Sequence, residues 1–218
     1  MKIKIKIKKD TTVSKITEHL RKEIMFGNLK PLEHLKENYI AKIFGVSRVP
    51  VRESLRILHS EGYLEMIPNR GSFVKKISME YIMEITKMYV FIAPELLRDA
   101  IPRYRKSTYK KAYTAIEKVE KCKDFNKVGY LLWDFAKVIY APSKFKFMYF
   151  IMDEIYKHNI RILNEIFELS QHKNYDLSPH KRFLELCQEN RNEDAIKEWG
   201  EYVNKLASVM VKIKIPSK

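Results

Sequence analysis

Cysteine, glycine and long apolar runs are all scarce in this sequence. Its two cysteines, Cys122 and Cys187, stand far apart with no Cys-x-x-Cys spacing, which argues against a disulfide framework and favours a reducing cytoplasm. Six glycines leave little material for a phosphate-binding loop, and no nucleophile–base pairing or carboxylate pair stands in a recognisable catalytic motif. No apolar run approaches the roughly 18 residues of a membrane span, and the lysine-alternating start is not a signal peptide. We therefore expect a cytoplasmic protein that has no membrane partner and is not an enzyme.

Positive charge is abundant instead. The 218 residues include 42 Lys and Arg against 27 Asp and Glu, a formal net charge of +15, which favours a polyanionic partner such as nucleic acid or an anionic membrane surface. The charge is concentrated, because residues 1–76 hold 17 basic and 8 acidic residues, a net of +9. A hydrophobic content of 45% is sufficient for a packed core, and the length allows one large domain or two ordinary ones.

Residues 46–56 predict the second helix of a helix-turn-helix. Gly45 can adopt the left-handed dihedrals that end a preceding helix, Ser47 can cap the next one, and Pro50 is tolerated in its first turn. At about 100° per residue, this helix carries an apolar stripe beside an arginine stripe. The stripes consist of Val51, Leu55 and Leu58 and of Arg48, Arg52 and Arg56. Because the apolar stripe must be buried, the arginines should point outward and suit a DNA major groove; an ordinary surface amphipathic helix is the alternative.

The flanking segments complete a winged helix-turn-helix. Apolar residues at helical spacing predict a first helix over residues 12–26 and a short second helix over residues 35–44. After the arginine-bearing helix, residues 62–67 and 72–75 read as two strands, and residues 68–71 supply the turn between them. The tip of this hairpin would place Asn69 and Arg70 against phosphates or a minor groove.

Residues 35–74 resemble the DNA-binding half of a GntR-family transcriptional regulator. The resemblance is carried by residues 44–55, by Leu58 with Glu61 and Gly62, and by residues 68–74. It implies a DNA-facing role for Asn38, Ser47, Arg48, Val49, Pro50, Arg52, Asn69, Arg70 and Gly71. We expect Glu53 to orient an arginine or to cap a helix. Two positions depart from the family pattern: Leu32 stands where glycine is usual, and Asn38 stands where a DNA-contacting arginine is common.

The second half of the chain predicts an antiparallel helical bundle. Helical segments are expected over residues 79–104, 107–122, 126–140, 143–170, 179–189 and 193–209, and Pro94 should kink the first of them. In fold class the protein is thus mainly α: an N-terminal winged helix-turn-helix domain with a basic extension (residues 1–76) is followed by an all-α domain (residues 77–218). A helical domain of this length resembles the FadR-like (FCD) branch of the GntR family, which implies dimerisation and effector binding.

The FCD branch often holds a divalent metal, but the ligand pattern is broken here. The family pattern has an Asp and a His four residues apart on one helix and a His on each of two later helices. These positions carry Leu132, Ala136, His180 and Tyr202. One family ligand of four cannot hold a metal tightly, so we expect no metal and no other cofactor.

An effector pocket is a separate expectation for this domain. Its candidate lining residues are Trp133, Asn159, Arg161, His180, Trp199 and Tyr202. The alternative is that the aromatic residues among them are ordinary core.

These patterns lead to one principal functional hypothesis, namely a homodimeric transcriptional regulator that binds a double-stranded DNA operator. By resemblance to the family it is a repressor whose helical domain senses a small-molecule effector. The alternatives are a non-specific nucleic-acid-binding protein driven by charge and a helical enzyme with a DNA-binding-like head. Lys/Ile alternation at residues 1–9 and the pattern at residues 209–215 also predict two short strands that pair with each other or with a second subunit; frayed basic tails are the alternative.

Overall fold

The computed structural model describes residues 12–170 and 175–212. It divides into two compact units between Lys76 and Ile77. No helix in the described ranges is both long enough and apolar enough to cross a lipid bilayer.

The first unit is a small helical domain with a three-stranded sheet. Its elements are α1 (Thr12–Met25), β1 (His34–Leu35), α2 (Glu37–Phe44), α3 (Arg48–Ser60), β2 (Leu64–Ile67) and β3 (Gly71–Val74). The sheet is antiparallel, with β3 between β1 and β2. The predicted apolar stripe of α3 is buried against α1, since Val51, Leu55 and Leu58 are at most 1% exposed. The winged helix-turn-helix prediction is confirmed.

The turn between α2 and α3 follows the residues that predicted it. Gly45 has φ 63° and its backbone N–H closes the end of α2 on the carbonyl oxygens of Ala41 and Lys42. Ser47 takes the extended N-cap conformation (φ −72°, ψ 168°), and in this described segment its hydroxyl makes no capping hydrogen bond. Pro50 lies in the first turn of α3, where a missing N–H costs little.

Strand β1 replaces the start that the sequence predicted for α2. Leu35 was expected to open that helix, but the helix begins at Glu37. His34 and Leu35 instead pair with Phe73 and Ser72 of β3. The backbone N–H of Leu32 also donates to the Val74 carbonyl oxygen over 2.8 Å. Pairing with a strand some 40 residues away therefore overrides the local helical pattern.

The second unit is an antiparallel bundle, as the sequence predicted. It consists of α4 (Met79–Ala100), a 3-10 turn (Ile101–Arg103), α5 (Lys106–Glu120), α6 (Phe125–Tyr140), α7 (Lys146–Ser170), α8 (Ser178–Gln188) and α9 (Asn192–Lys212). Helix α4 packs against α6, α7 and α9. Helices α4 and α7 run antiparallel. Tyr89 in the middle of α4 hydrogen-bonds to Tyr156 within α7, whereas Asp99 near the end of α4 accepts a hydrogen bond from Ser143, which precedes the start of α7. Pro94 lies within α4, which continues through it as one helix.

The end of the chain differs from its prediction. Helix α9 continues to Lys212, so the expected strand over residues 209–215 is wrong for residues 209–212. The four residues Val-Met-Val-Lys are too short a run to specify a strand when a strong helical pattern precedes them, as it does here. Residues 1–11 and 213–218, where the rest of the strand predictions fall, lie outside the described residues.

Leu32 has a left-handed backbone, which explains why glycine is usual at this position in the family that the sequence resembles. Its φ is 66°, and its side chain is 60% exposed, so little burial offsets the backbone cost. We expect Leu32→Gly to raise the free energy of unfolding by about 0.5–1 kcal/mol, because relief of the strain outweighs the added entropy of the unfolded chain. Urea titration measures this change. Leu32→Ala, which keeps the Cβ atom, is the control; equal effects of the two variants would contradict a backbone origin.

Candidate nucleic-acid interface

The exposed face of α3 carries the predicted arginine row. The side chains of Arg48 and Arg52 are 57% and 49% exposed, and Val49 beside them is 73% exposed. Arg56 is exposed one turn further along the helix. Since Val51 and Leu55 are buried, the fold fixes which side of α3 faces solvent. That side presents positive charge and hydrogen-bond donors.

Two of these arginines converge on one carboxylate, Glu37, in the first turn of α2. Arg52 donates from Nε to Oε1 over 2.9 Å and from Nη2 to Oε2 over 2.9 Å. Arg48 donates to Oε2 from Nη2 over 3.1 Å and from Nε over 3.3 Å. The Glu37 side chain is only 24% exposed. The contact thus joins the two helices of the helix-turn-helix.

Hydrogen bonds from Arg52 lower the pKa of Glu37 to about 2, with further contributions from Arg48. The same contact raises the pKa of Arg52 above its usual value. The Glu37 carboxylate therefore stays ionised at neutral pH, and it balances part of the positive charge of α3. Sequence reasoning missed Glu37 and assigned an orienting role to Glu53. The available signal was an acidic residue in the first turn of the preceding helix.

The hairpin tip is a tight turn with exposed polar residues. Asn69 has φ 60°, and the backbone N–H of Arg70 closes the turn on the Ile67 carbonyl oxygen over 3.0 Å. Gly71 has φ 99°, and a Cβ atom there would lie 2.7 Å from Nε2 of His34. Gly71 therefore has a structural reason to be glycine, independent of DNA.

The base of the hairpin is fixed to the helices. The His34 ring stacks on Phe73 with centroids 4.6 Å apart, which holds β1 against β3. His59 Nδ1 lies 2.9 Å from the Leu64 carbonyl oxygen, which joins the end of α3 to β2. Arg21 of α1 donates to both carboxylate oxygens of Glu61 over 2.7 and 2.9 Å. These contacts position α3 and the hairpin within one packed unit.

The structure leaves nearly all the predicted DNA-facing residues accessible. Pro50 is partly buried, and the others are exposed: Asn38, Ser47, Arg48, Val49, Arg52, Asn69, Arg70 and Gly71. They lie on α2, on α3 and its N-cap, and on the hairpin tip.

In the second unit, His180 lies inside an aromatic cluster. Its ring is 2% exposed and has edge contacts with Phe135, Tyr175, Trp199 and Tyr202 at centroid distances of 5.0–5.8 Å. Within the described chain its Nδ1 atom has no hydrogen-bond partner. Burial lowers the pKa of His180 to about 3, so the imidazole is neutral at physiological pH. The nearby Asp176 carboxylate opposes this shift only weakly.

The remaining candidate pocket residues are distributed among different surroundings. Trp199 is 1% exposed and donates to Tyr140 Oη over 3.0 Å, as part of the core. Trp133 of α6 donates instead to Asp153 of α7 over 2.9 Å, and the Lys137 ammonium lies over its ring. Asn159 and Arg161 are both 6% exposed on α7.

The four positions of the family metal pattern do not fit a metal. Leu132 and Ala136 are buried aliphatic side chains on one face of α6. His180 and Tyr202 supply one imidazole and one phenol, and the Tyr202 hydroxyl already hydrogen-bonds to that of Tyr175. Zinc in proteins takes several His, Cys or carboxylate ligands, and this set contains one. Elsewhere in the described residues, His, Cys, Asp and Glu form no group of three that could hold a metal ion.

The depressed pKa of His180 makes stability depend on pH. The His180 imidazole binds a proton near pH 6.5 in the unfolded chain and only near pH 3 in the folded chain. The contribution of the neutral imidazole to stability is therefore complete above pH 6.5 and is lost as the pH falls toward 3. We expect wild-type stability to fall by up to about 1.4 kcal/mol per pH unit between pH 6 and pH 4. In His180→Leu this component should disappear. Urea unfolding at a series of pH values measures it, and parallel profiles for the two proteins would contradict the assignment.

Comparison with known proteins identifies the first unit. Residues 12–74 match the family model for bacterial regulatory proteins of the gntR family. The chain is 36% identical over 83 residues to an uncharacterized HTH-type transcriptional regulator, YdhC, of Bacillus subtilis, a match that spans 37% of each protein. It is 40% identical over 63 residues to the HTH-type transcriptional repressor RspR of Escherichia coli, over 29% of this chain and 28% of that protein. These matches thus span little more than a third of the relatives at most.

Solved structures extend the similarity in fold to nearly the whole chain. A GntR family member from Pseudomonas syringae pv. tomato is 25% identical, with a TM-score of 0.59 over 92% of this chain and 84% of that one. A regulator from Rhodococcus sp. RHA1 described as a putative GntR is 17% identical, with a TM-score of 0.81 over 92% of this chain and 98% of that one, which shows a shared fold alone. Residues 12–74 thus resemble the helix-turn-helix domain of the gntR family of bacterial regulatory proteins.

Proposed function

We propose that this protein is a sequence-specific DNA-binding transcriptional regulator. The observation that carries the proposal is the exposed row of Arg48, Arg52 and Arg56 on a helix whose other face is buried, within a GntR-family domain. The diameter of an α-helix fits the width of a major groove, where an arginine can donate two hydrogen bonds to guanine. The net charge of +9 over residues 1–76 would supply sequence-independent attraction to phosphates.

The hairpin and α2 would add contacts beside this helix. Arg70 and Asn69 at the exposed tip suit phosphates or a minor groove, where a short loop can follow the backbone of the duplex. Asn38 on the exposed side of α2 offers an amide rather than a charge. Because Asn38 stands where the family commonly has arginine, α2 would attract phosphates more weakly, and most of the recognition of bases would fall to α3.

We further propose that the protein is a homodimeric repressor. Some relatives over the DNA-binding segment are named as repressors, among them RspR of Escherichia coli and NagR of Bacillus subtilis. A two-fold dimer would read two half-sites about one helical turn apart, in a pseudo-palindromic operator. Effector binding would change operator affinity through a coupling typically of about 1–3 kcal/mol.

The helical unit would receive that effector near His180. The buried Nδ1 atom of His180 has no partner in the described chain, and such an atom is costly unless a ligand or water satisfies it. A neutral imidazole with a free ring nitrogen suits a small polar molecule. The aromatic cluster is also compatible with an ordinary core, in which case a water molecule would serve the same atom.

Two alternative functions make different predictions. A charge-driven nucleic-acid-binding protein would bind all duplexes with similar affinity, whereas a regulator should prefer its operator by about 10³-fold or more. An enzyme with a DNA-binding-like head would need a catalytic group. We propose no enzymatic activity, because the relatives reported above are named as transcriptional regulators.

We expect Arg52→Ala to weaken binding to a preferred duplex, selected from a random pool by the wild-type protein, by about 1–3 kcal/mol. Binding to a scrambled duplex should weaken by only about twofold, because there Arg52 contributes charge alone. Fluorescence anisotropy at fixed salt measures both. Lys111→Ala, which removes one exposed positive charge from α5, is the matched control and should leave the preference unchanged. Equal weakening of both duplexes by Arg52→Ala would favour the charge-driven alternative. In a footprinting experiment, protection of a single half-site by the wild-type protein would contradict the dimer.

We also expect the purified protein to contain no stoichiometric Zn²⁺ or Ni²⁺, and its melting temperature to be unchanged by either metal or by a chelator. The reason is that only His180 remains of the family ligands. Elemental analysis and thermal unfolding measure these outcomes. As a positive control, Leu132→Asp, Ala136→His and Tyr202→His together should gain metal-dependent stabilisation. A bound metal in the wild type would mean that other residues complete the site.

A further inference from the structure

Glu37 contacts both Arg48 and Arg52 on one particular edge of each guanidinium. Every one of the four hydrogen bonds involves Nε or Nη2, which form the side edge of the group. The second N–H of Nη2 and one N–H of Nη1 form the end edge, and Nη1 makes none of the hydrogen bonds to Glu37. In Arg52 two distances of 2.9 Å to two different oxygens also fix the plane of the guanidinium.

The edge that remains is the one that can read a base. Guanine presents N7 and O6 side by side in the major groove, and an arginine satisfies both with two parallel N–H donors. A guanidinium free to rotate would meet phosphates with either edge. A guanidinium held on its side edge presents only its end edge, and presents it in a fixed orientation.

We propose that Glu37 is a positioning residue that gives α3 its sequence specificity, by holding Arg48 and Arg52 with their end edges toward the bases. The two guanidiniums are the groups presented to solvent, since the Arg48 and Arg52 side chains are 57% and 49% exposed and that of Glu37 is 24% exposed. The negative charge of Glu37 also reduces the general attraction of α3 for phosphates. This inference rests on the proposed function and names how that same site discriminates between sequences.

Electrostatics supports a persistent contact. The pKa of Glu37 is lowered to about 2, so the carboxylate stays ionised throughout the pH range in which DNA binding is measured. The position of Glu37 in the first turn of α2 adds the favourable field of a helix N-terminus. Arg56, further along α3, is exposed but is not among the arginines that Glu37 contacts.

The test compares Glu37→Gln with Glu53→Gln. Both variants remove one negative charge from the same unit, but Glu53 is an exposed residue of α3 that lies in the groove between α1 and α3. Affinities are measured for the selected duplex and for a scrambled duplex, at several salt concentrations. We expect Glu37→Gln to bind the scrambled duplex about two- to threefold more tightly and to lose about tenfold in preference for the selected duplex. Glu53→Gln should keep the wild-type preference within about twofold.

Several outcomes would overturn the inference. One is a preference within twofold of wild type in Glu37→Gln; another is an equal loss in the two variants, which would indicate a general charge effect. If the wild-type protein itself has no preference for any duplex, the proposed function fails, and this inference with it. A wild-type preference that Glu37→Gln leaves intact refutes this inference alone.

A second measurement needs no variant. In the wild-type protein, the Nε–H groups of Arg48 and Arg52 should exchange slowly with solvent in the free state and in the complex with the selected duplex, as measured by NMR. Slow exchange of both in the complex supports positioning. Fast exchange in the complex would show that the arginines leave Glu37 on binding, and would overturn the proposal even where Glu37→Gln does not fold.

Discussion

Burial of one side of α3 is the constraint from which the arrangement of the first unit follows. Val51, Leu55 and Leu58 each contribute about 1.5–3 kcal/mol when fully buried, so the helix cannot rotate about its axis without losing most of that free energy. The rotation that buries these residues is the one that exposes Arg48 and Arg52. The location of the candidate DNA-binding surface is thus a consequence of core packing. The arginine side chains give this surface its positive charge, but the burial of the apolar residues determines where the surface lies.

The sequence predicts this part of the structure well because its signals are local and periodic. Helical spacing of apolar residues locates α1 and α3, and Gly45 marks the end of α2 because its left-handed conformation suits few other residues. The two features that were missed depend on distant partners. Strand β1 forms only because β3 offers it hydrogen bonds, and Glu37 acquires its role only because the turn brings α2 beside Arg48 and Arg52. No periodicity within residues 32–37 could have revealed either one.

In the second unit, too, the sequence pattern predicts the helices but not the contacts that individual side chains make. Its helices could be located to within a few residues, but the surroundings of its candidate pocket residues could not. Trp133 and Phe135 are two residues apart on α6 and so point in different directions: Phe135 contacts His180, and Trp133 contacts Asp153. A resemblance supplies positions along the chain, whereas membership of a cluster depends on the helix face that each position occupies.

The positions that depart from the family pattern differ in their effect on the stability of the fold. Some affect the folded backbone or the core, and others lie on the surface and affect recognition. Leu32 takes a strained backbone conformation, which the hydrogen bond to Val74 holds in place. Asn38 is exposed and costs the fold little, so its effect falls on recognition. Leu132 and Ala136 are buried aliphatic residues where the resemblance places metal ligands, so these two side chains contribute to the packing of the helical unit. The core of the first unit and its arginine row are built from residues of that unit, so both can be kept while positions of the helical unit change.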